Sequence, residues 1–127
     1  MAQNNETALL YNLQNSGCWQ KLKLILLKMK IRIRTIEPSQ YLQPVGALAG
    51  IKTISLREDI YEGEGFSEPM ILLRGFTDSR LDSLLGSMRH DGISVSLKAV
   101  LTAENQNWNS LELYEELKRE HLAFHGQ

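Results

Sequence analysis

Residues 69–76 read P-M-I-L-L-R-G-F, residues 77–92 read T-D-S-R-L-D-S-L-L-G-S-M-R-H-D-G, and residues 93–102 read I-S-V-S-L-K-A-V-L-T. The first segment is apolar on both faces of an extended chain, as a central strand requires. In the second, Leu81, Leu84, Leu85 and Met88 recur at i, i+3, i+4 and i+7, the spacing of one helix face. Thr77, Asp78 and Ser79 offer caps, with Asp82 in a capping-box position to Ser79, and Gly92 stands where a C-terminal glycine ends a helix. The third segment alternates, with Ile93, Val95, Leu97, Ala99 and Leu101 on one face and Ser94, Ser96, Lys98, Val100 and Thr102 on the other. After a polar turn at 105–109, a helix capped by Ser110 carries Leu111, Leu113, Tyr114, Leu117, His121 and Phe124 on one side. The second half is therefore strand, helix, strand, helix.

The first half repeats this grammar. T-A-L-L-Y-N-L (7–13) is a short apolar run, and Trp19, Leu22, Ile25, Leu26 and Met29 lie at helical spacing within 18–30. I-R-I-R-T-I-E (31–37) alternates, with Ile31 and Ile33 inward and Arg32 and Arg34 outward, and Pro38 ends it. Trp19, Leu22 and Leu26 fall opposite Leu81, Leu84 and Met88 when the halves are aligned. A β-α-β unit written twice predicts a single α+β domain of the ferredoxin-like plan. Its halves are about 7–51 and 69–124, joined by an acidic connector at 52–68 and followed by an extra C-terminal helix. The expected strand order is 4-1-3-2, because it places the two doubly apolar strands inside and the two charged, alternating strands at the edges. The alternative, a parallel doubly wound α/β sheet, needs four apolar strands.

Such a plan leaves the outer faces of the central strands to be covered by the C-terminal helix, the connector or a second copy, so a homodimer is expected. Gly63 and Gly65 among glutamates predict a mobile connector, yet Ile54, Leu56, Ile60, Tyr61 and Phe66 are too apolar for a pure linker.

Fourteen Lys and Arg against fifteen Asp and Glu give a net charge of −1, which provides no global attraction to nucleic acid or membrane. The distribution is uneven. Lys21, Lys23, Lys28, Lys30, Arg32 and Arg34 concentrate in the first half. No apolar run approaches the ~20 residues that span a bilayer. The start, M-A-Q-N-N-E, lacks the charged and apolar regions of a secretory leader, and a single cysteine, Cys18, excludes an intramolecular disulfide framework. A reducing cytoplasm is expected.

At L-K-A-V-L-T-A-E-N-Q-N-W-N-S-L-E-L-Y-E-E-L-K-R-E-H (97–121), preceded by the I-L-L-R-G-F strand, the chain resembles a bacterial family known as domain of unknown function 3783. The resemblance spans roughly 69–122. It implies a small cytoplasmic bacterial protein and supplies no activity, cofactor or substrate.

The candidate ligand-binding residues are Arg74, Lys98, Thr102, Asn105 and Trp108, which the plan gathers where the third and fourth strands end. An ammonium, a guanidinium, a hydroxyl and an amide there suit a small anion, and the start of the preceding helix adds free N–H groups. The bland reading makes Lys98 an edge-strand charge, Asn105 a turn former and Trp108 a packing residue. His90 suits a helix C-terminus without chemistry. His121 and His125 have helical metal-ligand spacing, but a structural role is the simpler reading. Cys18 has no partner histidine placed by the sequence. No phosphate loop, dinucleotide fingerprint or nucleophile elbow is present. No cofactor and no metal are expected. The function expected is that of a non-enzymatic regulatory module that binds a small ligand or a protein and acts as a dimer. The alternative is nucleic-acid binding through 21–34, for which the central strands offer only Tyr11 and Phe76 as stacking aromatics.

Overall fold

The structure, a computed structural model, describes residues 6–14 and 16–125, with side chains through residue 120. Four strands form one sheet: β1 (Thr7–Tyr11), β2 (Arg32–Thr35), β3 (Met70–Arg74) and β4 (Leu97–Val100). Four α-helices join or flank them: α1 (Trp19–Lys28), α2 (Val45–Leu48), α3 (Asp78–His90) and α4 (Ser110–His125). A 3₁₀ turn at Pro38–Gln40 follows β2.

The sheet order is β2-β1-β3-β4. β1 and β2 are parallel, β3 and β4 are parallel, and β1 meets β3 antiparallel, with Thr7 opposite Arg74 and Tyr11 opposite Met70. The expected ferredoxin-like order 4-1-3-2 is thereby corrected. The apolar strands are central and the charged ones lie at the edges, as their polarity requires. Each edge strand pairs with the central strand of its own half instead of the other half's. Both orders satisfy the same polarity pattern, so hydrophobicity alone cannot separate them. The antiparallel centre and the exposed edges also exclude the all-parallel alternative.

Side chains alternate along the central strands, so they feed two cores. On one face Ala8, Leu10, Ile71 and Leu73 pack with Leu22, Ile25 and Leu26 of α1 and Leu84 and Met88 of α3. On the other, Leu9, Tyr11, Met70 and Leu72 pack with Val45 and Leu48 of α2, Leu113 of α4, Tyr41 and Phe66. Helices therefore cover both faces of the sheet. The apolar surface on which the homodimer expectation rested is buried within the chain, by α2, α4 and the end of the connector.

Local details depart from the expected boundaries for identifiable reasons. The strand expected at 93–102 is regular only over Leu97–Val100, and its single alternation is split between the cores. Ile93 and Val95 enter the α1/α3 side, whereas Leu97, Ala99 and Leu101 enter the α4 side. Of the three cap candidates, Thr77 caps α3, its hydroxyl accepting from the Arg80 N–H at 3.2 Å. Gly92, at φ +72°, ends α3 as expected, with Ile93 N–H reaching back to the Met88 carbonyl at 2.8 Å. α4 is capped by Asn109 and not Ser110. The Asn109 carboxamide accepts from Glu112 N–H and the Glu112 carboxylate accepts from Asn109 N–H, both at 2.9 Å. Ser110 instead shares a buried 2.7 Å hydrogen bond with Tyr11 Oη.

The connector is not loose. Asn12 donates to the carbonyls of Phe66 and Glu68 at 2.8 and 3.0 Å. Phe66 stacks on Tyr114 with centroids 4.0 Å apart and on Tyr41 at 4.9 Å. Glu68 accepts from Tyr114 Oη and from Lys118 Nζ, fixing α4 to the chain before β3. That bond, together with burial, pushes the Tyr114 hydroxyl up to about 12. At the other end of the sheet, Glu6 is buried and gripped by Arg80 through two bonds of 2.8 and 2.6 Å, while Arg80 also donates to the Met29 carbonyl.

The start of α2 is tied to the turn before α4. Val45 N–H and Gly46 N–H donate to the Trp108 and Gln106 carbonyls, both at 2.8 Å. A Cβ at Gly46 would stand 2.6 Å from Ile54 Cδ1 and 2.8 Å from the Gln106 carbonyl oxygen, so only glycine allows this approach. Gly46→Ala is expected to destabilise the chain by about 1–3 kcal/mol in urea unfolding. Gly17→Ala, where nothing lies within 4 Å, serves as the control and is expected to stay within about 0.5 kcal/mol of the parent.

Candidate functional site

Beyond β4 the chain turns through 101–109 and returns as α4, which lies against the sheet edge. Between them opens a cleft of about 440 Å³. Lys98, Thr102, Asn105 and Trp108 all line it, so four of the five candidate residues are brought together. Arg74 is not. Its guanidinium turns to the Ala49 carbonyl at 3.0 Å, beside Arg32 and Gly50.

The polar groups that drew attention to this region are largely used by the fold. Asn105 is 9% exposed. Its Oδ1 accepts from Thr102 N–H at 2.8 Å and its Nδ2 donates to the Val100 carbonyl at 3.1 Å. The carboxamide thus pairs with β4 as a peptide group of a further strand would, closing that end of the sheet edge. The Thr102 hydroxyl in turn accepts from Asn105 N–H at 3.0 Å. Lys98 donates to the Val95 carbonyl at 2.5 Å. Trp108 is half-buried against the core that holds Leu113 and Leu117.

The remaining lining is acidic, which the strand-centred reading missed. Glu104, Glu116 and Glu120 border the cleft, with Leu113 and Leu117 at its apolar side. Glu116 is paired with Arg119 at 2.5 Å, whereas among the described residues neither Glu104 nor Glu120 has an ion-pair partner. The signal was present in the sequence as E-E-L-K-R-E (115–120), where Glu116 and Glu120 share one helix face four residues apart.

The other candidates are dispersed. His90 lies exposed at the end of α3, where it borders a groove with Lys28, Met29, Ser87 and Asp91. Cys18 precedes α1, its Sγ 3.4 Å from Ser16 Oγ. The His121–His125 pair lies outside the described side chains. Among the described residues no group of three His, Cys, Asp or Glu is placed to hold a metal ion. No described helix is long and apolar enough to cross a membrane. The basic residues of 21–34 divide between the two sides of the sheet. Lys21, Lys23 and Lys28 sit on α1, while Arg32 and Arg34 occupy the face shared with Thr7 and Leu9, opposite α1.

The cleft belongs to the second half of the chain, and that half has known relatives as a sequence. Residues 69–124 match the family described as Domain of unknown function (DUF3783). The match begins one residue before β3 and ends within α4, so the matched segment runs from β3 through α3 and β4 into α4, cleft included. No curated protein and no solved structure matches the chain.

Asn105→Ala removes both bonds to the β4 edge and leaves Val100 and Thr102 unpaired. The expected loss is about 2 kcal/mol of unfolding free energy. Asn105→Asp, which keeps the acceptor for Thr102 N–H but not the donor, is expected to fall between Asn105→Ala and the parent in the same measurement.

Proposed function

We infer that the chain is a non-enzymatic binding module whose cleft between β4 and α4 holds a cationic group of a partner, such as a lysine or arginine side chain of a protein. The supporting observation is the balance of free groups around the cleft. Among the described residues Glu104 and Glu120 border it without ion pairs, while Lys98 and the Thr102 hydroxyl each hold one hydrogen bond within the fold and the Asn105 carboxamide holds two. The anion expected from those residue types finds few donors left to receive it.

Trp108 and Leu117 supply an apolar wall for the stem of a long cationic side chain, and an indole face attracts the charged head. Two carboxylates in a half-open cleft favour the bound cation without the full desolvation cost of a buried pair. Among the described residues the cleft holds no nucleophile hydrogen-bonded to a base, the arrangement that covalent catalysis needs. The module works in a reducing cytoplasm, where Cys18 remains a thiol, and regulates its partner by occupancy alone.

The test is a titration of the ¹⁵N-labelled chain with a short lysine- and arginine-rich peptide, a glutamate-rich peptide and inorganic phosphate. The basic peptide is expected to shift the amides of 98–108 and 113–120, with affinity falling about tenfold in a Glu104→Gln/Glu120→Gln variant. Shifts caused there by phosphate or the acidic peptide alone would return the site to the anion reading. An absence of shifts with all three would remove the cleft as a binding site.

A further inference from the structure

Besides Val100 on β4, four large apolar side chains are exposed among the described residues, in two pairs of opposite charge surroundings. Leu24 and Leu27 are 66% and 54% exposed on the outer face of α1, and Leu56 and Ile60 are 64% and 66% exposed in the connector. On the α1 cylinder Leu24 and Leu27 form a stripe with Lys23 on one side and Lys21 and Lys28 on the other. In the connector, Leu56 and Ile60 are interspersed with Glu58, Glu62 and Glu64, while Arg57 and Asp59 neutralise one another. Among the described residues none of Lys21, Lys23, Lys28, Glu58, Glu62 and Glu64 has an ion-pair partner.

The connector displays its pair from a fixed frame. The Gln43 carboxamide accepts from Arg57 N–H at 2.6 Å and donates to the Arg57 carbonyl at 2.7 Å. Tyr61 N–H reaches the Ser39 carbonyl at 3.3 Å, and the Tyr61 ring stacks on Tyr41 with centroids 6.0 Å apart. A loop held at Arg57 and Tyr61, with Ile60 between these anchors and Leu56 just before the first, both exposed to water, leaves that apolar area open to a partner.

The two patches lie on opposite sides of the sheet. α1 packs against the face of Ala8 and Leu10, and Tyr61 and Phe66 anchor the connector on the face of Leu9 and Tyr11. They cannot meet within one chain. We propose that copies of the chain associate head to tail, with Leu56 and Ile60 of one copy seated on the Leu24–Leu27 stripe of the next and the connector glutamates facing the α1 lysines. Opposite charges around apolar centres give this contact its orientation and exclude α1 against α1. Because the two surfaces differ and face apart, the contact is heterologous and does not close as a two-fold dimer.

Sedimentation of the full chain over a concentration series at low and high salt tests this. At low salt the weight-average mass is expected to climb from 14.5 kDa past twice that value as concentration rises, and to fall back at high salt. Lys23→Glu/Lys28→Glu and, separately, Glu58→Lys/Glu62→Lys are each expected to stay at 14.5 kDa with unchanged circular dichroism. Mixing these two variants restores association, because the acidic connector of one meets the basic α1 of the other and the reversed pair also matches. A wild-type chain that remains monomeric throughout overturns the proposal. So does a species that stops at two copies, or an association indifferent to salt and to both reversals.

Discussion

The antiparallel ladder between β1 and β3, five residues from Thr7 opposite Arg74 to Tyr11 opposite Met70, is the constraint from which the remaining architecture follows. The β-α-β core of each half is a two-stranded parallel unit with one connecting helix, and so small an apolar face does not stabilise itself. Joining the halves along their most apolar strands produces a four-stranded sheet with both charged strands at the rim. It also fixes which side chains face which helices. Ala8, Leu10, Ile71 and Leu73 can only meet α1 and α3, and Leu9, Tyr11, Met70 and Leu72 only the other layer.

That second layer is assembled from pieces of different chain position, and the ladder is what makes them neighbours. Tyr11 at the end of β1 reaches Ser110 at the start of α4, and Phe66 lies between Tyr41 and Tyr114. Asn12, in a left-handed conformation at φ 60°, turns its amide to the connector end that feeds β3. These contacts place α4 beside β4 and so create the cleft. The acidic wall of that cleft is thus a consequence of how the sheet is covered. Of its carboxylates, Glu116 and Glu120 sit on a helix held by Leu113 inside the core, and Glu104 sits in the turn before it.

The periodicities of 81–88 and 22–26 revealed α3 and α1, and doubly apolar runs revealed β1 and β3, because burial on one or two faces leaves a direct imprint on residue order. The pairing of those strands left no comparable imprint. A charged edge strand reads the same whichever central strand it joins, so 2-1-3-4 and 4-1-3-2 are degenerate in polarity. The site was legible in part for a related reason. Lys98, Thr102, Asn105 and Trp108 were found because residues near in sequence at a strand end remain near in space. Arg74 was misplaced because its side chain turns to Ala49, a contact spanning 25 positions. Residue type also misled: the amide of Asn105 suggested a ligand donor, and its bonds go to the β4 edge instead.

The most direct test of this account is the strand pairing itself, read from cross-strand backbone contacts by NMR in solution. The account predicts antiparallel contacts between Leu9 and Leu72 and parallel contacts joining Ala8 with Ile33 and Leu72 with Ala99. Contacts of β1 with β4, or of β3 with β2, would contradict it.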